Sequence, residues 1–444
     1  MGQIQQLKFK LIVMNFLQFF VWGLWMMTLW SYGNIEKSWN SAEFGWVFST
    51  MGFASLLMPT LFGIWADKWK PKNVFAILHL CFGLAMCFLP FIDRAMPFFW
   101  VLLVAMCFYM PTIGLNNSIN FAVLKKDGKN PIKAFPPIRV WGTIGFIVAM
   151  WVANVLVKDW AMGLSIKYTF VVSAVFAFVL AIFAFVALPN VSTNDDAGGS
   201  SGKKTLVQLL GLDAFALFKQ RKMAVFFIFS LLLGAALQLT NAYGDGFLAD
   251  VNVFPQEGLI NNLSTIILSI SQMSETLFIL AIPFFMQRFG IKKVMLFSML
   301  AWVLRFGLFG LADNSALGFG LIVVSCIVYG LAFDFFNISG ALFTEQNSDG
   351  NTKNSAQGLF MLMTNGIGAV LGNVVAGYVI TTWFTETGAG VMRNGKATDL
   401  IHWNIEWFPN VWFVFAAYAL VVGVLFALIF KYKHNPMDVT KDER

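Results

Sequence analysis

Long apolar runs, separated by short polar or charged breaks, follow one another along the chain. Most runs continue for about 20 residues or more without the ten-residue alternation of a membrane-spanning strand, so they predict helices that can cross a bilayer. Six runs lie at 9–32, 43–66, 72–92, 96–124, 135–158 and 168–188, and six more at 223–250, 258–287, 292–312, 316–344, 354–382 and 409–431. The pattern predicts an all-α membrane protein with twelve transmembrane helices in two six-helix halves, numbered here as spans 1 to 12.

The breaks between the runs predict the domain organisation. The predicted parts are an N-terminal half (1–188), a cytoplasmic linker (189–222), a C-terminal half (223–431) and a cytoplasmic tail (432–444). The linker could form a short amphipathic helix, although an ordered linker without a role of its own explains its pattern equally well. The apolar positions of that helix would be Val207, Leu210, Phe215 and Leu217. The external loop 383–408 is the longest on its side, and we expect its TGAGVMRNGKATD core to be flexible.

Composition supports the membrane assignment. The chain is 58% hydrophobic and 12% charged, with a mean hydropathy of +0.71, which lies outside the range of ordinary soluble proteins. The four cysteines fall inside apolar runs without the spacing of a metal site, so we expect packing residues, no metal and no cofactor. Span 1 lacks a small-residue cleavage site after a short apolar core and is interpreted as an uncleaved span.

The basic residues predict orientation. Of the 30 Lys and Arg residues, 22 lie in segments on the side that holds both termini and the linker, and six lie in the opposite loops. By the positive-inside rule both termini are cytoplasmic, and the net charge of +7 indicates topology instead of nucleic-acid binding. The remaining two, Arg139 and Arg305, lie within predicted spans.

An internal repeat links the two halves. An ungapped shift of 220 residues aligns Lys68 with Arg288, Lys72 with Lys292, Gln18 with Gln238, Asp93 with Asp313, Tyr109 with Tyr329 and Asn117 with Asn337. A single offset that holds over about a hundred residues indicates parallel repeats, which is the plan of the major facilitator superfamily. The loop after span 2 also resembles the cytoplasmic gate motif of that superfamily, at Gly63, Asp67, Lys68 and Lys72. Lys70 stands in place of its glycine and Pro71 in place of a basic residue.

Polar residues form stripes at helical spacing on four spans. They are Arg139 and Thr143 with Phe146 on span 5, Gln238, Asn241 and Asp245 on span 7, Gln272 and Glu275 on span 8, and Tyr329, Phe333, Asp334 and Asn337 on span 10. Lone Gln and Asn residues often serve only to hydrogen-bond helices together. A charge at the bilayer centre costs roughly 3 kcal/mol, so we predict that Glu275, Asp334 and Arg139 have a functional role.

Three other polar residues have different expectations. Arg305, alone on a peripheral span, suggests a structural pair or a side chain that snorkels to the surface. Asp245 is expected in the external vestibule. His79, within an apolar run, is expected to be a hydrogen-bonded core residue and not a proton relay.

The candidate residues favour a neutral ligand that is partly planar and rich in hydroxyls. Amides can recognise a heterocycle edge, aromatic rings can stack on it, and a carboxylate can accept from two neighbouring hydroxyls. A nucleoside meets all of these requirements and a sugar meets most. No GxxxxGK[ST] loop is present, which argues against ATP-driven pumping. Proton symport with Arg139 and Asp334 as a charge pair is the simplest hypothesis, while sodium coupling and facilitated diffusion remain open.

Four motifs carry a resemblance to a known family. FPPIRVWGTIGFIVAMW, LLGLDAFALFK, SISQMSETLFILAIPFF and VYGLAFDFFNISG resemble the nucleoside:proton symporters of the major facilitator superfamily. The resemblance implies a symporter that imports purine and pyrimidine nucleosides with protons across the bacterial inner membrane. The binding residues it implies are Arg139, Thr143, Phe146, Gln238, Asn241, Gln272, Glu275, Tyr329, Phe333 and Asp334. It further implies that Glu275 binds the ribose hydroxyls and that Asp334, or else Glu275, carries the proton.

The expected partners are a nucleoside, protons and the lipid bilayer, with no nucleic acid, and we expect a monomer. The alternative within transport is a sugar or polyol carrier of the same fold. A nucleoside sensor would need a cytoplasmic output domain, for which only the linker and the short tail are available. A membrane enzyme would need a nucleophile and a base, but His402 and His434 lie outside the spans.

Overall fold

The computed structural model describes residues 2–129, 134–158, 161–190, 212–250, 253–255, 258–348, 353–393, 396–401, 403 and 410–432. Nearly all of these residues are helical. In the first half the α-helices are α1 Gly2–Met26, α2 Leu29–Ser31, α3 Ser41–Phe48, α4 Thr50–Lys68, α5 Pro71–Phe88, α6 Ala95–Lys126, α7 Pro136–Val157 and α8 Lys167–Ala187. In the second half they are α9 Arg221–Leu237, α10 Leu239–Leu248, α11 Leu259–Asn262, α12 Ser264–Gly310, α13 Ala316–Gln346, α14 Lys353–Met361, α15 Ala369–Trp383 and α16 Val411–Ile429.

Several short segments interrupt or connect these helices. They are π-helices at Tyr32–Glu36 and Leu362–Gly368, 3-10 helices at Leu89–Phe91 and Leu212–Lys219, and strands β1 Thr385–Arg393 and β2 Lys396–Ile401. The linker positions Val207 and Leu210 lie outside the described residues. Phe218 in the linker 3-10 helix packs against Phe227 of α9, with ring centroids 5.5 Å apart. The linker segment after residue 211 is therefore anchored to the second half.

Within the described residues, eleven helical segments are long and apolar enough to cross a membrane. The count differs from twelve because predicted spans 8 and 9 both lie within the single long helix α12. The helix is interrupted at Gly290, whose φ of 76° and ψ of 166° lie in a region that glycine adopts without strain. The apolar pattern predicted two segments here, but their connection is too short to appear as a separate loop.

The two arms of α12 fold back on each other around Gly290. Phe285 and Phe297 would lie about 18 Å apart along a straight helix. Their ring centroids are instead 6.2 Å apart, and those of Phe289 and Phe297 are 5.2 Å apart. The first arm, before Gly290, and the second arm, after it, therefore pack as a helical hairpin.

The external loop contains regular structure. β1 and β2 form an antiparallel pair in which Thr385 lies opposite Ile401 and Arg393 lies opposite Lys396, with an irregularity between Glu386 and Val391. We expected a flexible segment here and predicted no strand. Backbone pairing along β1 and β2 therefore gives regular structure to the parts of this loop that the structure describes.

The chain forms two compact units, Met1–Trp39 with Trp46–Leu210, and Asn40–Gly45 with Gly211–Arg444. We call them unit 1 and unit 2. In unit 1, α1 packs on α7 and α8, while α4 and α5 pack on α6. In unit 2, the α12 hairpin packs on α13 and α16, and α9 packs on the π-helix of predicted span 11.

Large apolar side chains cover the outer faces of both units. Val186 is 81% exposed and Leu280 is 77% exposed. In water such faces would be unfavourable, whereas lipid accommodates them at no cost. Burial and exposure therefore agree with a multi-pass membrane protein.

Matching lysines cap the last helix of each unit. Lys72 Nζ donates to the carbonyl oxygens of Leu188 at 2.8 Å and Phe185 at 3.2 Å, at the end of α8. Lys292 Nζ donates to the carbonyl oxygen of Ala427 at 3.0 Å, near the end of α16. A lysine at a helix C-terminus satisfies free carbonyls and interacts favourably with the helix dipole. The 220-residue repeat therefore extends to equivalent contacts.

Candidate functional site

The candidate residues of unit 1 lie on α7. Arg139 and Thr143 are partly buried and Phe146 is 7% exposed. The guanidinium carbon of Arg139 lies 4.0 Å from the ring centroid of Phe19 on α1, a distance at which a cation and an aromatic face attract each other. The Arg139 charge is thus held partly by an aromatic ring.

Glycines on α7 bring α1 close to this group. A side chain at Gly145 would clash with the Phe16 carbonyl oxygen, and one at Gly142 would come within 2.6 Å of the Phe19 ring. Trp22, one turn further along α1, meets Phe146 edge to face at 5.9 Å. Sequence reasoning missed Phe19 and Trp22, although their i, i+3 spacing opposite a GxxG pair on α7 is a usable signal.

In unit 2 the helix of predicted span 7 is interrupted at Gln238. α9 ends at Leu237 and α10 begins at Leu239, and Gln238 has φ −100° and ψ −9°. The Gln238 Oε1 accepts a hydrogen bond of 3.2 Å from Asn241 Nδ2. The interruption lies at the candidate residues themselves, and a broken helix in a membrane protein is tolerated where it lines a cavity or is buried in protein.

Two aromatic residues on α13 join this pair of amides. Asn241 Nδ2 also lies 3.4 Å from the Tyr329 hydroxyl oxygen. Tyr329 and Phe333, one helical turn apart, are stacked with centroids 5.6 Å apart and planes 16° apart. The edge of Trp302 meets Tyr329 at 5.8 Å, so the ring of Tyr329 is held from two directions.

Gln272 and Glu275 lie on the first arm of α12, which packs closely against α13. A Cβ at Gly330 would lie 2.6 Å from the Ser274 carbonyl oxygen and 2.7 Å from the Glu275 backbone nitrogen. The Ser274 hydroxyl donates to the carbonyl oxygen of Ile327. Because Gly330 follows Tyr329, this close approach brings Glu275 within electrostatic range of Tyr329 and Asp334.

Asp334 is the most deeply buried acid of the group. It is 5% exposed, and among the described residues its Oδ2 has no hydrogen-bond partner. An ionised carboxylate in such a place is costly unless it is paired or protonated. Asp334 therefore has the environment expected of a group that exchanges a proton.

We call the unit 2 residues the polar cluster. Its members are Gln238, Asn241, Gln272, Glu275, Tyr329, Phe333 and Asp334. Hydrogen bonds, ring stacking and electrostatic contacts connect all of them except Gln272, which lies one turn before Glu275 on the same helix face. Sequence spacing alone had placed these residues on three separate helices.

Two sequence-based hypotheses stay predictions. Arg139 belongs to unit 1 and Asp334 to unit 2, and their pairing is not tested. For the cytoplasmic gate motif, the side chains of Asp67 and Lys68 lie outside the described residues. Gly63 lies within α4, and Lys72 caps α8 as described above.

The remaining polar residues differ in outcome. Arg305 is 1% exposed, so the snorkelling expectation is wrong, because α12 and α13 enclose the side chain. Asp245 is 3% exposed and accepts a 2.7 Å hydrogen bond from the Ser264 hydroxyl, so it is buried and does not line an open vestibule. His79 is fully buried with Nδ1 2.9 Å from the Phe75 carbonyl oxygen, which confirms a hydrogen-bonded core residue.

Comparisons with known proteins agree with this architecture. The model of the nucleoside H+ symporter family matches residues 5–435. The chain is 43% identical over 431 residues to the xanthosine permease of Escherichia coli (strain K12), covering 96% of each protein. It is 42% identical over 432 residues to the nucleoside permease NupG of the same organism, covering 96% of this chain and 97% of the permease.

Solved structures give the same result. The crystal structure of the nucleoside transporter NupG matches with a TM-score of 0.82 and 42% identity, over 96% of this chain and 100% of that chain. A bacterial homologue of the human lysosomal transporter Spinster matches with a TM-score of 0.68 at 12% identity, over 98% of this chain and 97% of that chain, which shows the fold alone. The protein is therefore a membrane transporter of the major facilitator fold and not an enzyme. Within that class, the chain belongs to the nucleoside H+ symporter family.

Proposed function

We propose that this protein is a proton-coupled symporter that imports purine and pyrimidine nucleosides across the inner membrane by alternating access. The observation that carries the proposal is the polar cluster, in which amides, stacked rings and two acids meet inside an apolar helical unit. Family membership and the names of the xanthosine and nucleoside permease relatives support the substrate class. The distribution of basic residues supports cytoplasmic termini, and a monomer remains part of the proposal.

The chemistry of the cluster suits the two parts of a nucleoside. Gln238, Asn241 and Gln272 carry both donors and acceptors, as a heterocyclic base does along its edge. Phe333 and Tyr329 offer aromatic surface for the base. Glu275, held beside α13 by the close packing at Gly330, is the acceptor for the ribose hydroxyls.

Asp334 is the proposed proton carrier. It is buried, and Glu275 lies on the first arm of α12, which packs against α13 at Gly330; two neighbouring carboxylates repel each other when both are charged. Substrate binding at Glu275 changes that repulsion, so occupancy of the site and protonation of Asp334 are coupled. Arg139, Thr143 and Phe146 of unit 1 are proposed to contribute to the same function, by resemblance to the family.

Uptake into proteoliposomes tests the proposal. Purified protein is reconstituted, and entry of labelled uridine is measured with an inward proton gradient, with an inward sodium gradient, and with no gradient. We expect concentrative uptake only with the proton gradient, and its collapse on addition of a protonophore. Uptake that follows the sodium gradient, or that never exceeds equilibration, would refute proton symport.

Competition then tests the substrate class. Uridine uptake is challenged with adenosine, xanthosine, the free bases, ribose and disaccharides. Purine and pyrimidine nucleosides are expected to compete, whereas free sugars are not. Competition by sugars without competition by ribosides would replace the proposal with a sugar or polyol carrier.

A further inference from the structure

Arg305 is a buried cation, and its contacts with described residues all lie within unit 2. Its Nε donates to the Thr240 hydroxyl oxygen at 3.0 Å and its Nη1 donates to the Ser325 carbonyl oxygen at 2.8 Å. The Ser325 hydroxyl donates back to the Arg305 carbonyl oxygen at 2.8 Å. Among the described residues it forms no ion pair with a carboxylate, so neutral groups hold its charge.

Each of these contacts lies next to the polar cluster. Thr240 precedes Asn241 in the chain, on the first turn of α10 after the interruption at Gln238. Ser325 lies one helical turn before Tyr329 on α13. A single guanidinium thus joins the second arm of α12 to both helices that present Asn241 and Tyr329.

Arg305 also contacts Tyr329 directly. The guanidinium carbon lies 4.5 Å from the Tyr329 ring centroid. A planar cation over an aromatic ring restrains the tilt of that ring. The hydroxyl at the other end of the ring faces Asn241 Nδ2 at 3.4 Å, so a tilt of the ring would change the position of that hydroxyl.

We propose that Arg305 is a positioning residue for nucleoside binding, which sets the orientation of Tyr329 and the placement of Asn241 without contacting the substrate. This inference rests on the proposed function. The requirement is for arginine in particular, because its fork supplies two separate donors to α10 and α13 while its plane lies over the ring. The compact ammonium group of lysine cannot reach both Thr240 and Ser325 while also lying flat over the Tyr329 ring.

A residue that only holds helices together would give a different result. Loss of such a residue lowers thermal stability, but the protein that remains folded binds substrate normally. Loss of a positioning residue weakens binding in folded protein. Affinity measured on monodisperse protein, alongside the melting temperature, therefore distinguishes the two roles.

The experiment compares Arg305→Lys, Thr240→Val, the double variant and Tyr418→Phe in the full chain. Uridine dissociation constants are measured by calorimetry in lipid nanodiscs, after size exclusion has removed aggregated protein. We expect uridine binding about 10-fold weaker in Arg305→Lys and about 3-fold weaker in Thr240→Val. The double variant should resemble Arg305→Lys, because both changes remove the same contact.

Tyr418→Phe is the matched control. Its hydroxyl donates a 2.6 Å hydrogen bond to the Leu232 carbonyl oxygen, an interhelical contact between α16 and α9 that involves no member of the polar cluster. We expect a lower melting temperature and an unchanged dissociation constant. Thr240→Ser, which keeps the acceptor for Arg305, should bind as wild type does.

Unchanged uridine affinity in folded Arg305→Lys would overturn the positioning role and leave the proposed function intact. If Arg305→Lys does not fold, unchanged affinity in Thr240→Val overturns it instead. Absence of nucleoside binding by wild-type protein would refute the proposed function, and the inference with it.

Discussion

A glutamine and a tyrosine occur at equivalent repeat positions in both units, but their surroundings differ. They are Gln18 and Tyr109 in unit 1, and Gln238 and Tyr329 in unit 2. In unit 1, α1 continues through Gln18, whose amide donates to the Thr112 hydroxyl oxygen at 2.7 Å. The Tyr109 hydroxyl donates to the Gln18 carbonyl oxygen at 2.6 Å, and both residues are fully buried. This is the hydrogen-bonded packing common between membrane helices.

In unit 2, Gln238 and Tyr329 take part in a different arrangement. The helix stops at Leu237, and Gln238 and Tyr329 both face the Asn241 amide. The shift of 220 residues places Asn241, Gln272, Glu275 and Asp334 opposite Val21, Gly52, Ser55 and Gly114. The comparison teaches that a Gln or Tyr inside a membrane gains a candidate function from the groups around it.

The largest expected effect on uridine binding comes from Glu275, whose equivalent repeat position in unit 1 is a serine. Glu275→Gln should weaken uridine binding about 100-fold, or about 2.7 kcal/mol, because two hydroxyl groups lose a charged acceptor. Equilibrium binding to purified protein measures it. Ser55→Ala, at the equivalent position, should bind normally, and near wild-type affinity in Glu275→Gln would remove its proposed role.

The second effect separates coupling from binding. Asp334→Asn keeps the shape of the side chain but cannot exchange a proton, so gradient-driven uptake of uridine should fall at least about tenfold. Exchange of external label for unlabelled uridine inside preloaded vesicles should persist. Asp313→Asn, at an exposed acid between helices, serves as the control. Continued accumulation by Asp334→Asn would assign the proton to another group.

The third effect tests the comparison at matched tyrosines. Tyr329→Phe should weaken uridine binding roughly fivefold, since one hydrogen bond of about 1 kcal/mol is lost in the site. Tyr109→Phe should leave the affinity unchanged and lower the melting temperature by a few degrees, because its hydroxyl only joins α6 to α1. If the two variants weakened uridine binding equally, Tyr109 would contribute to substrate binding as much as Tyr329 does.

The smallest effect is expected where the units are alike. Lys72→Met and Lys292→Met each remove a lysine cap and should each lower the free energy of unfolding by about 0.5 kcal/mol. Thermal unfolding in detergent measures both, with uridine affinity as the control. Unequal losses, or a loss of affinity in one variant only, would indicate that the repeat has diverged in role here too.

Much of the fold follows from hydrophobic length alone. Ten of the predicted spans coincide with observed segments within a few residues at most ends, since each apolar run must satisfy its own backbone in lipid. The interruption at Gln238 was not predictable in the same way, because it depends on tertiary packing and does not change the apolar pattern. The break between predicted spans 8 and 9 was predicted from the charged residues near Gly290, but not how short the connection would be.

The sequence predicted which residues belong to the candidate site, but not which of them contact each other. The cost of burying charge identified Glu275 and Asp334, and helical spacing identified the amides. The link from Asn241 to Tyr329 joins α10 to α13 and has no signature in the sequence. For Arg305 the sequence left a structural pair and snorkelling as alternatives, because a lone arginine in an apolar run gives no indication of which helices will enclose it.

The tight connection at Gly290 has a consequence for biogenesis. Each arm of α12 carries a residue that isolated lipid disfavours, Glu275 on the first and Arg305 on the second. With only Gly290 interrupting the helix between them, we expect the two arms to enter the bilayer together as one hairpin during synthesis. The chain then never has to leave either charged residue on a solitary helix in the hydrocarbon while the next segment is being made.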